Sequence, residues 1–474
     1  MKIKEVLEEL FYRIDDLFVD LRFFLRESKK NRERTKKGLS RRPVHNQINL
    51  KKLGVGAAGI LVCFLAVFLI VTGIRKGISA VSGRQISAKP EQIVMSETEK
   101  MTEETYPEQD ITIGSTGCML LHSPFISSYP DAQGNYDFSS VYQYITPYYS
   151  EPDFMTCEFE GSLSGPEAGY YGYPTFRSPD AIIENIRDSG VDLQMLATNH
   201  IYDAWSDGFH RTMDVYEEKG IAYTGIRKNT DEKPYYIADI KGVTVGFIDY
   251  VYETPGEGTN LNGLKLTAED GELVNSFSYD DLQPFYDEMS GRIREMKEDG
   301  ARFIVLNLHW GTEYQLTESS VQDEIAQKMC NLGVDALIGG HPHCEQPIDV
   351  LNAEDGSRKM FCIYSVGNAL SNQRTYLMNE MPTGHTEDGV MVTLTLHQEK
   401  NGTVRITSVD ILPTWVYRFQ ENGSKYYILP LDDVDHLEEL TGLTDAVSDA
   451  RASYERTMEE LGPGLEKARQ AFHK

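Results

Sequence analysis

The sequence predicts an α/β protein in which helices cover both faces of a sheet. Short apolar runs typical of buried strands alternate with longer polar stretches of helical spacing through most of the chain. In the clearest unit, the apolar run Phe303–Leu308 is followed by a polar helical stretch at Ser319–Leu332 and a second apolar run at Val334–Ile338. A strand, a helix and a strand in this order form the repeating unit of a parallel sheet.

The same alternation predicts the other elements. Strands are predicted at Ile111–Ile113, Met155–Phe159, Leu193–Ala197, Ile221–Thr224, Val243–Tyr250, Lys359–Ser365, Val390–Leu396 and Val404–Leu412. Helices are predicted at Pro179–Ser189, Asp207–Lys219 and Tyr279–Glu298. The acidic tail predicts a helix at Leu437–Leu461 that is broken by Gly462-Pro463-Gly464, because proline removes a helical hydrogen bond.

A charge-free apolar run occupies residues 53–74. It is long enough to span a hydrocarbon core of about 30 Å as a helix. A signal peptide is disfavoured because the run begins far from Met1, and a buried soluble helix is disfavoured because the run has no polar side. Residues 1–52 carry 15 Lys and Arg against eight Asp and Glu. The positive-inside rule therefore predicts a single-pass membrane protein with its N-terminus in the cytoplasm and its body on the extracytoplasmic side.

This span divides the chain into five predicted regions. Residues 1–52 form a cytoplasmic amphipathic helix followed by a basic connector. The helix lies on the membrane or pairs with a partner helix. Residues 53–74 form the transmembrane helix and 75–109 a polar extracytoplasmic stalk. Residues 110–417 form the globular domain, and 418–474 an acidic helical C-terminal extension.

The charge distribution argues against nucleic acid as a partner. The net charge is −27, and since residues 1–52 contribute +7, the rest of the chain carries −34. Such an acidic body repels a polyanion at low salt. An anionic surface polymer would therefore have to bind at a local basic or metal-bearing groove.

Five predicted strand ends carry side chains of the kinds that bind metals. In chain order they hold Cys118 with His122, Glu158 and Glu160, Asn199 and His200 with Asp203, His309 with Glu313, and His341 with His343. Open α/β sheets bind their ligands at the carboxyl ends of their strands. Two histidines separated by one residue, after a pair of glycines, can both reach one metal centre. The pattern predicts a metal site at this edge of the sheet.

These segments resemble the bacterial CapA family of capsule and poly-γ-glutamate synthesis proteins, which belongs to the calcineurin-like metallophosphoesterase superfamily. The resemblance covers about residues 111–412. It is carried by the segments EFEGSLSG (158–165), YPTFRSP (173–179), LATNHIYDAWSDGF (196–209), HWGTEYQ (309–315), GGHPH (339–343) and YSVGNAL (364–370). The resemblance implies a metallophosphoesterase-like αββα sandwich.

The resemblance also implies a centre of two divalent cations, with Mn, Fe or Zn favoured by the mixed ligands. The ligands would be Glu160, Asn199, His309, His341 and His343. His200 matches the catalytic histidine that protonates the leaving oxygen. Two such cations would clamp a phosphate and activate water.

Position 118 departs from the family pattern, which has an aspartate ligand there. A Cys118 thiolate could bind a soft metal such as Zn, and Glu158 or His122 could take over the role. Loss of the first metal site and a Cys118–Cys344 disulfide also stay open at this point.

Four further groups are candidates for support of the site. The Arg177 guanidinium fits a phosphate or carboxylate of the substrate, although it could equally form a structural ion pair. Asp203 and Glu313 are candidate partners of site histidines, and Glu313 could equally be a solvated loop carboxylate. The Gly367-Asn368 pair follows a predicted strand and is expected to form a turn that supports the site.

Two functions of different classes follow. The first is a membrane-anchored, extracytoplasmic, metal-dependent phosphoesterase-like hydrolase that acts on a cell-surface polymer or its carrier, with the capsule or poly-γ-glutamate synthesis machinery as partner. The second is a non-catalytic subunit that handles polymer or acts as a scaffold in a capsule assembly complex and retains a degenerate metal site. Amide cleavage of poly-γ-glutamate by the same metal site is a third possibility that the sequence leaves open.

Overall fold

A computed structural model describes residues 105–473 of the chain. The predicted amphipathic helix, transmembrane helix and most of the stalk lie outside these residues. No helix in the described part is both long and apolar enough to cross a membrane.

The strands of the described part form two large sheets and two small ones. Their bounds are β1 Gln109–Met119, β2 Phe154–Phe159, β3 Ser162–Leu163, β4 Arg177–Ser178, β5 Leu193–Met195, β6 Ala222–Thr224, β7 Tyr236–Ile240, β8 Val243–Tyr252, β9 Asn260–Leu261, β10 Leu264–Lys265, β11 Ser276–Phe277, β12 Phe303–His309, β13 Ala336–Gly340, β14 Glu345–Asn352, β15 Lys359–Val366, β16 Asp388–Gln398, β17 Val404–Gln420 and β18 Ser424–Pro430. One seven-stranded sheet has the order β18-β17-β16-β1-β2-β5-β6. The other has the order β11-β8-β12-β13-β15-β14, with β7 paired to β8.

Helices lie between these strands. The α-helices are α1 Ser123–Ser128, α2 Thr146–Tyr149, α3 Gly165–Ala168, α4 Ala181–Asp188, α5 Trp205–Lys219, α6 Ala268–Gly271, α7 Gln283–Glu298, α8 Ser320–Leu332, α9 Leu437–Thr441 and α10 Val447–Phe472. Single 3₁₀ turns lie at Ser139–Tyr142, His385–Glu387 and Val434–His436. The predicted α/β class is confirmed.

The two large sheets pack face to face, and helices cover their outer faces. Strand β12 shows why. Successive side chains of a strand point to opposite faces of the sheet, and β12 has apolar side chains on both. Phe303 and Val305 join the core between the sheets. Ile304 and Leu306 join a second core with α7 and α8. A strand that is buried on both faces reads as an unbroken apolar run.

The other sheet is covered in the same way by α4 and α5, whose apolar sides pack on β2. The order of layers is therefore helix, sheet, sheet, helix, as expected for the αββα sandwich.

Local sequence signals fix where helices begin and end. Ser319 and Gln322 form a reciprocal capping box at the start of α8. Gly220 ends α5 in the left-handed conformation with φ 62°.

The sheet extends further along the chain than the sequence pattern indicates. The predicted boundary between residues 417 and 418 falls inside β17, and β18 adds another strand to the same sheet.

Strand β14 of the other large sheet, which follows the His341-Pro342-His343 segment, was also not predicted. Its residues alternate between apolar and polar in only part of its length, and it holds Pro347. It is an edge strand, where proline is tolerated.

The prediction that Gly462-Pro463-Gly464 breaks the tail helix is wrong. Helix α10 runs through all three residues to Phe472. Leu461 and Leu465 bury their side chains in the core between the sheets, so tertiary packing outweighs the low helix propensity of the three residues. Pro463 lies on the exposed side of the helix, where water can replace the hydrogen bond that proline removes.

Gly464 is required for this packing. A Cβ added to Gly464 would lie 2.1 Å from the carbonyl oxygen of Ile348 in β14. A Cβ added to Gly462 would meet only the methyl group of Met458, at 3.8 Å. The glycine at position 464 therefore lets the helix backbone approach the edge strand closely.

We expect Gly464→Ala and Gly462→Ala to change stability in opposite directions. Gly464→Ala forces α10 away from β14 and should lower the free energy of unfolding by about 1–3 kcal/mol. Gly462→Ala is the matched control and should raise it by up to about 1 kcal/mol, because alanine favours a helix. Urea unfolding followed by tryptophan fluorescence measures both. Equal effects of the two substitutions would contradict the close approach.

Candidate metal centre

The predicted ligand residues converge at one edge of the sandwich. β1, β2 and β5 are parallel neighbours in one sheet, and β12 and β13 in the other, so their carboxyl ends lie on the same side. Each of the predicted polar segments follows or ends one of these strands. The structure thereby brings together residues from five segments that are up to 225 positions apart in the chain, counted from Cys118 to His343.

Glu160 lies at the middle of the cluster. Its side chain is fully buried, and neither carboxylate oxygen accepts a hydrogen bond. Its Oε1 faces imidazole nitrogens instead, with His200 Nε2 at 3.7 Å and His309 Nε2 and His343 Nε2 both at 3.9 Å. Burial and the neighbouring Glu158 raise the pKa of Glu160 well above its ordinary value. A buried carboxylate without a donor is costly unless a cation or a proton compensates it.

The hydrogen bonds of His309 fit a ligand role. Its Nδ1 lies 2.9 Å from Glu158 Oε1 and its Nε2 lies 3.0 Å from Asn199 Oδ1. The roles of the two nitrogens depend on the tautomer. A proton on Nδ1 would be donated to the Glu158 carboxylate, and Nε2 would then offer its lone pair to a cation beside Asn199 Oδ1.

His341 and His343 hold strained backbone conformations. Their φ angles are 93° and 56°, in the left-handed region that residues other than glycine rarely adopt. Strain of this kind is typical of functional sites, because the surrounding structure must enforce it. It turns both imidazoles inward, where His343 Nε2 faces Glu160 and His341 lies fully inside the protein.

Both imidazoles are neutral in this setting. Burial and the neighbouring histidines lower the pKa of His341 well below its ordinary value, and burial lowers the pKa of His343 to about 3. His343 Nδ1 lies 3.1 Å from the side-chain oxygen of Asn368, which fixes the ring and leaves Nε2 free. His341 Nδ1 is buried without a hydrogen-bond partner. Neutral imidazole with a free lone pair is the form that binds metals.

Cys118 belongs to the cluster. The ligand atoms of Cys118, Glu158, Glu160 and His309 all lie within 4.8 Å of one another. The Cys118 thiol donates to Glu158 Oε1 with an Sγ–O distance of 2.7 Å, and the backbone N–H of His341 donates to Sγ. Burial and Glu158 raise the pKa of the thiol well above its usual range, so it holds its proton when no cation is near.

Of the two residues that could replace the missing aspartate ligand, only Glu158 lies beside the Cys118 thiol. His122 accepts a hydrogen bond from the backbone of Asn372 and packs edge-on against Phe176. The suggested Cys118–Cys344 disulfide is wrong, because both thiols are free and Cys344 donates to the carbonyl of Gln315.

His200 and Asp203 form a hydrogen-bonded pair beside the cluster. His200 Nδ1 lies 2.6 Å from Asp203 Oδ2, and His200 Nε2 points toward Glu160. The buried Asp203 carboxylate also accepts from the backbone N–H of Phe176. A carboxylate that holds one ring nitrogen of a histidine fixes the direction in which the other nitrogen can give or take a proton.

Arg177 and Glu313 lie at the edge of the site. The Nε of Arg177 donates to the Asp203 backbone carbonyl at 3.0 Å, and its guanidinium lies over the Tyr171 ring. The guanidinium is half-buried. Glu313 is exposed in the loop after β12, close enough to His200 and His309 for an electrostatic interaction with their rings.

Two residues near the centre were not predicted. Tyr252, at the end of β8, lies with its ring centroid 4.7 Å from that of His341. Asn262 reaches the His200–Asp203 pair from a small hairpin. The position of Tyr252 at a strand end was a usable signal. The Asn262-Gly263 dipeptide indicates a turn, but nothing in the sequence indicates where that turn packs.

Comparison with known proteins gives a family match over much of this region. The model of the family "Bacterial capsule synthesis protein PGA_cap" matches residues 112–373. The "Capsule biosynthesis protein CapA" of Bacillus anthracis is 24% identical over 305 residues, which cover 63% of this chain and 66% of that protein. The "PGA biosynthesis protein CapA" of Bacillus subtilis (strain 168) is 22% identical over 325 residues, which cover 67% of this chain and 75% of that protein.

Solved structures give only remote likenesses. A hypothetical protein from Thermus thermophilus aligns with a TM-score of 0.38 at 12% identity, over 64% of this chain and 98% of its own. The sulfate thiohydrolase SoxB of the same genus, solved with glycerol, aligns with a TM-score of 0.33 at 12% identity, over 64% of this chain and 42% of its own.

The family match covers more than half of the chain, and the segment from Cys118 to His343 that carries the whole ligand cluster lies inside it. The resemblance read from the motifs is thereby confirmed. The chain belongs to the bacterial capsule synthesis protein family PGA_cap and, with that family, to the metallophosphoesterase superfamily.

Proposed function

We propose that the protein is a metal-dependent phosphoesterase-like hydrolase that acts in capsule or poly-γ-glutamate synthesis. The observation that carries the proposal is the buried Glu160 carboxylate, which has no hydrogen-bond donor and is surrounded by imidazoles. The names of the two Bacillus relatives support the biological setting. The substrate class is a cell-surface polymer or its carrier.

The residues present fit divalent cations. Glu160, Asn199, His309, His341 and His343 would hold them, and Cys118 and Glu158 lie within reach on one side. Carboxylate, amide and imidazole donors suit Mn, Fe or Zn, and a thiolate would favour Zn. When bound, such cations polarise a phosphoryl oxygen and lower the pKa of a coordinated water.

The chain's own groups account for proton transfer. In ester hydrolysis a water oxygen forms a new bond to phosphorus and gives up one proton to solvent, while the bond to the leaving oxygen breaks. His200 Nε2 gives its proton to that leaving oxygen, while Asp203 holds Nδ1 and stabilises the protonated ring. Arg177 meets the anionic group at the mouth of the site.

The proposed location is the outer face of the cell membrane. The apolar run at residues 53–74 would anchor the chain with its N-terminus in the cytoplasm. The acidic body would then face the compartment in which capsule polymer is assembled, and the synthesis machinery would be its partner. Protease protection of the C-terminal domain in intact cells, compared with lysed cells, tests this topology.

The second candidate is a non-catalytic subunit that handles polymer or holds an assembly complex together. The hydrogen bond between Cys118 and Glu158 favours it, because that side of the cluster satisfies its own polar groups without a cation. In this function the site would be degenerate. Metal content separates the two candidates.

We expect the purified protein to contain Mn, Fe or Zn, and the double substitution His341→Ala, His343→Ala to remove most of it. Elemental analysis measures this directly. The matched control is His210→Ala, His436→Ala, since both histidines lie away from the cluster and pair with Asp270 and Asp433. Two metals per chain support the hydrolase, and one metal supports a site that has lost its Cys118 side. A folded protein without metal would contradict the hydrolase and leave only the scaffold function.

Glu160→Gln is expected to have opposite effects on stability with and without metal. Since the pKa of Glu160 is raised on folding, the metal-free wild type loses stability as the pH rises above the ordinary glutamate pKa of about 4.3. A neutral amide removes this loss and can donate to the nearby imidazole nitrogens. At pH 7.5 in EDTA the variant should therefore melt at a higher temperature than the wild type.

With Mn or Zn added, only the wild type should gain stability, because the variant has lost the charge that attracts the cation. Thermal melts in EDTA and in metal give both results. Glu257→Gln, at an exposed position, is the matched control and should leave both melts unchanged. A variant that gains as much from metal as the wild type would show that Glu160 is not a ligand.

A further inference from the structure

The hairpin formed by β9 and β10 places a single side chain beside the His200–Asp203 pair. Leu261 pairs with Leu264, so the loop between them has two residues, Asn262 and Gly263. Their φ angles are 50° and 72°. Positive φ at both positions is the signature of a type I′ turn, for which Asn-Gly is the favoured sequence. The turn explains the residue types but does not explain the contacts of the Asn262 side chain.

The Asn262 amide reaches two acceptors that lie far away in the sequence. Its Nδ2 donates to Asp203 Oδ1 at 3.2 Å and to the Pro174 carbonyl at 3.3 Å. Because both partners are acceptors, the NH₂ group must face them. These two bonds use both of its protons. The third neighbour, His200 Nδ1 at 3.2 Å, is then a packing contact, since that nitrogen gives its own proton to Asp203 Oδ2.

The contacts of Asp203 are divided between its two oxygens. Oδ2 accepts from His200 and from the backbone N–H of Phe176. Oδ1 has Asn262 as its donor. The carboxylate is fully buried, so without Asn262 one oxygen of a buried charge would lose its partner. Such a loss favours rotation of the carboxylate away from His200.

We infer that Asn262 is a positioning residue, which holds the Asp203 carboxylate in the plane that orients His200 toward the cluster. As a statement about catalysis the inference rests on the proposed hydrolase function. As a statement about the His200–Asp203 pair it rests only on the contacts above. The hairpin tip thereby becomes part of the proton-transfer machinery, because its side-chain hydrogen bonds and contacts reach Pro174, His200 and Asp203.

The test replaces Asn262 without removing the turn. Asn262→Gly keeps a sequence, Gly-Gly, that type I′ turns accept. Asn262→Asp also keeps a turn-forming residue but sets a second carboxylate against Asp203. Asn422→Gly is the matched control, because Asn422-Gly423 forms the turn between β17 and β18 with φ 52° at the asparagine and lies against Ser128 instead.

The first readout does not depend on activity or metal. In metal-free, full-length protein labelled with ¹⁵N-histidine, the Nδ1–H proton of His200 should resonate far downfield, as expected for a short bond to a buried carboxylate. His200→Gln assigns the signal. Asn262→Gly and Asn262→Asp should shift or broaden it, whereas Asn422→Gly should not. An unchanged signal in Asn262→Gly would overturn the inference.

The second readout separates positioning from general damage. A good leaving group such as p-nitrophenolate needs little help from an acid, whereas an alkyl leaving group needs a proton. On an alkyl phosphodiester, Asn262→Gly should lower kcat about 10- to 100-fold, the usual cost of losing an orienting contact. On the p-nitrophenyl ester the loss should be clearly smaller. Equal losses on both esters would overturn a role in positioning His200.

The two hypotheses fail in different ways. If the metal-loaded wild type hydrolyses neither ester, the proposed function fails and the resonance of His200 still decides the role of Asn262. If the wild type is active and the Asn262 variants match the Asn422 control in both readouts, the inference fails alone.

Discussion

The buried charge of Glu160 is the constraint on which the rest of the site depends. An ionised carboxylate taken out of water without a partner costs several kcal/mol even after relaxation. Here neither oxygen has a donor, and Oε1 faces imidazole nitrogens of His200, His309 and His343 at 3.7 to 3.9 Å. Burial lowers the pKa of His343 to about 3, so its neutral ring cannot neutralise the carboxylate. The arrangement is stable when a cation is bound or when Glu160 carries a proton. Because imidazole nitrogens face the carboxylate, the geometry favours the cation.

The backbone holds two of the imidazoles in the positions that favour a cation. His341 and His343 both take positive φ angles directly after β13, at a cost of the order of 1–3 kcal/mol each. The surrounding sheet offsets this strain energy through β14, which begins at Glu345 and pairs along β15. Asn368 then fixes the His343 ring from the adjacent turn, where its NH₂ group also bonds the His343 carbonyl at 3.2 Å. Rigid strands on both sides thus keep two strained residues in place.

Much of the fold and the location of the site followed from the sequence, for a local reason. Apolar runs such as Phe303–Leu308 are strands buried on both faces, and the polar residues that end them can lie only at the sheet edge. What could not be predicted depends on contacts between distant segments. Helix α10 continues through Pro463 because Leu461 and Leu465 are buried against sheets whose first strands lie hundreds of residues earlier. The position of the Asn262 side chain is determined by its hydrogen bond to Asp203, 59 residues away, while its neighbours in the sequence specify only a turn.

The two sides of the cluster are unequal, and this inequality bears on the departure at position 118. Cys118, Glu158 and the Nδ1 of His309 satisfy one another through hydrogen bonds. Before the thiol can bind a cation it must lose a proton that burial and Glu158 both retain. Glu160 and His341 Nδ1 have no such bonds to break, although the raised pKa of Glu160 means that a cation must displace its proton too. Under the proposed function, occupancy of the Cys118 side would require a cation that binds tightly enough to displace the thiol proton as well, a requirement that an aspartate, with its much lower ordinary pKa, would not impose.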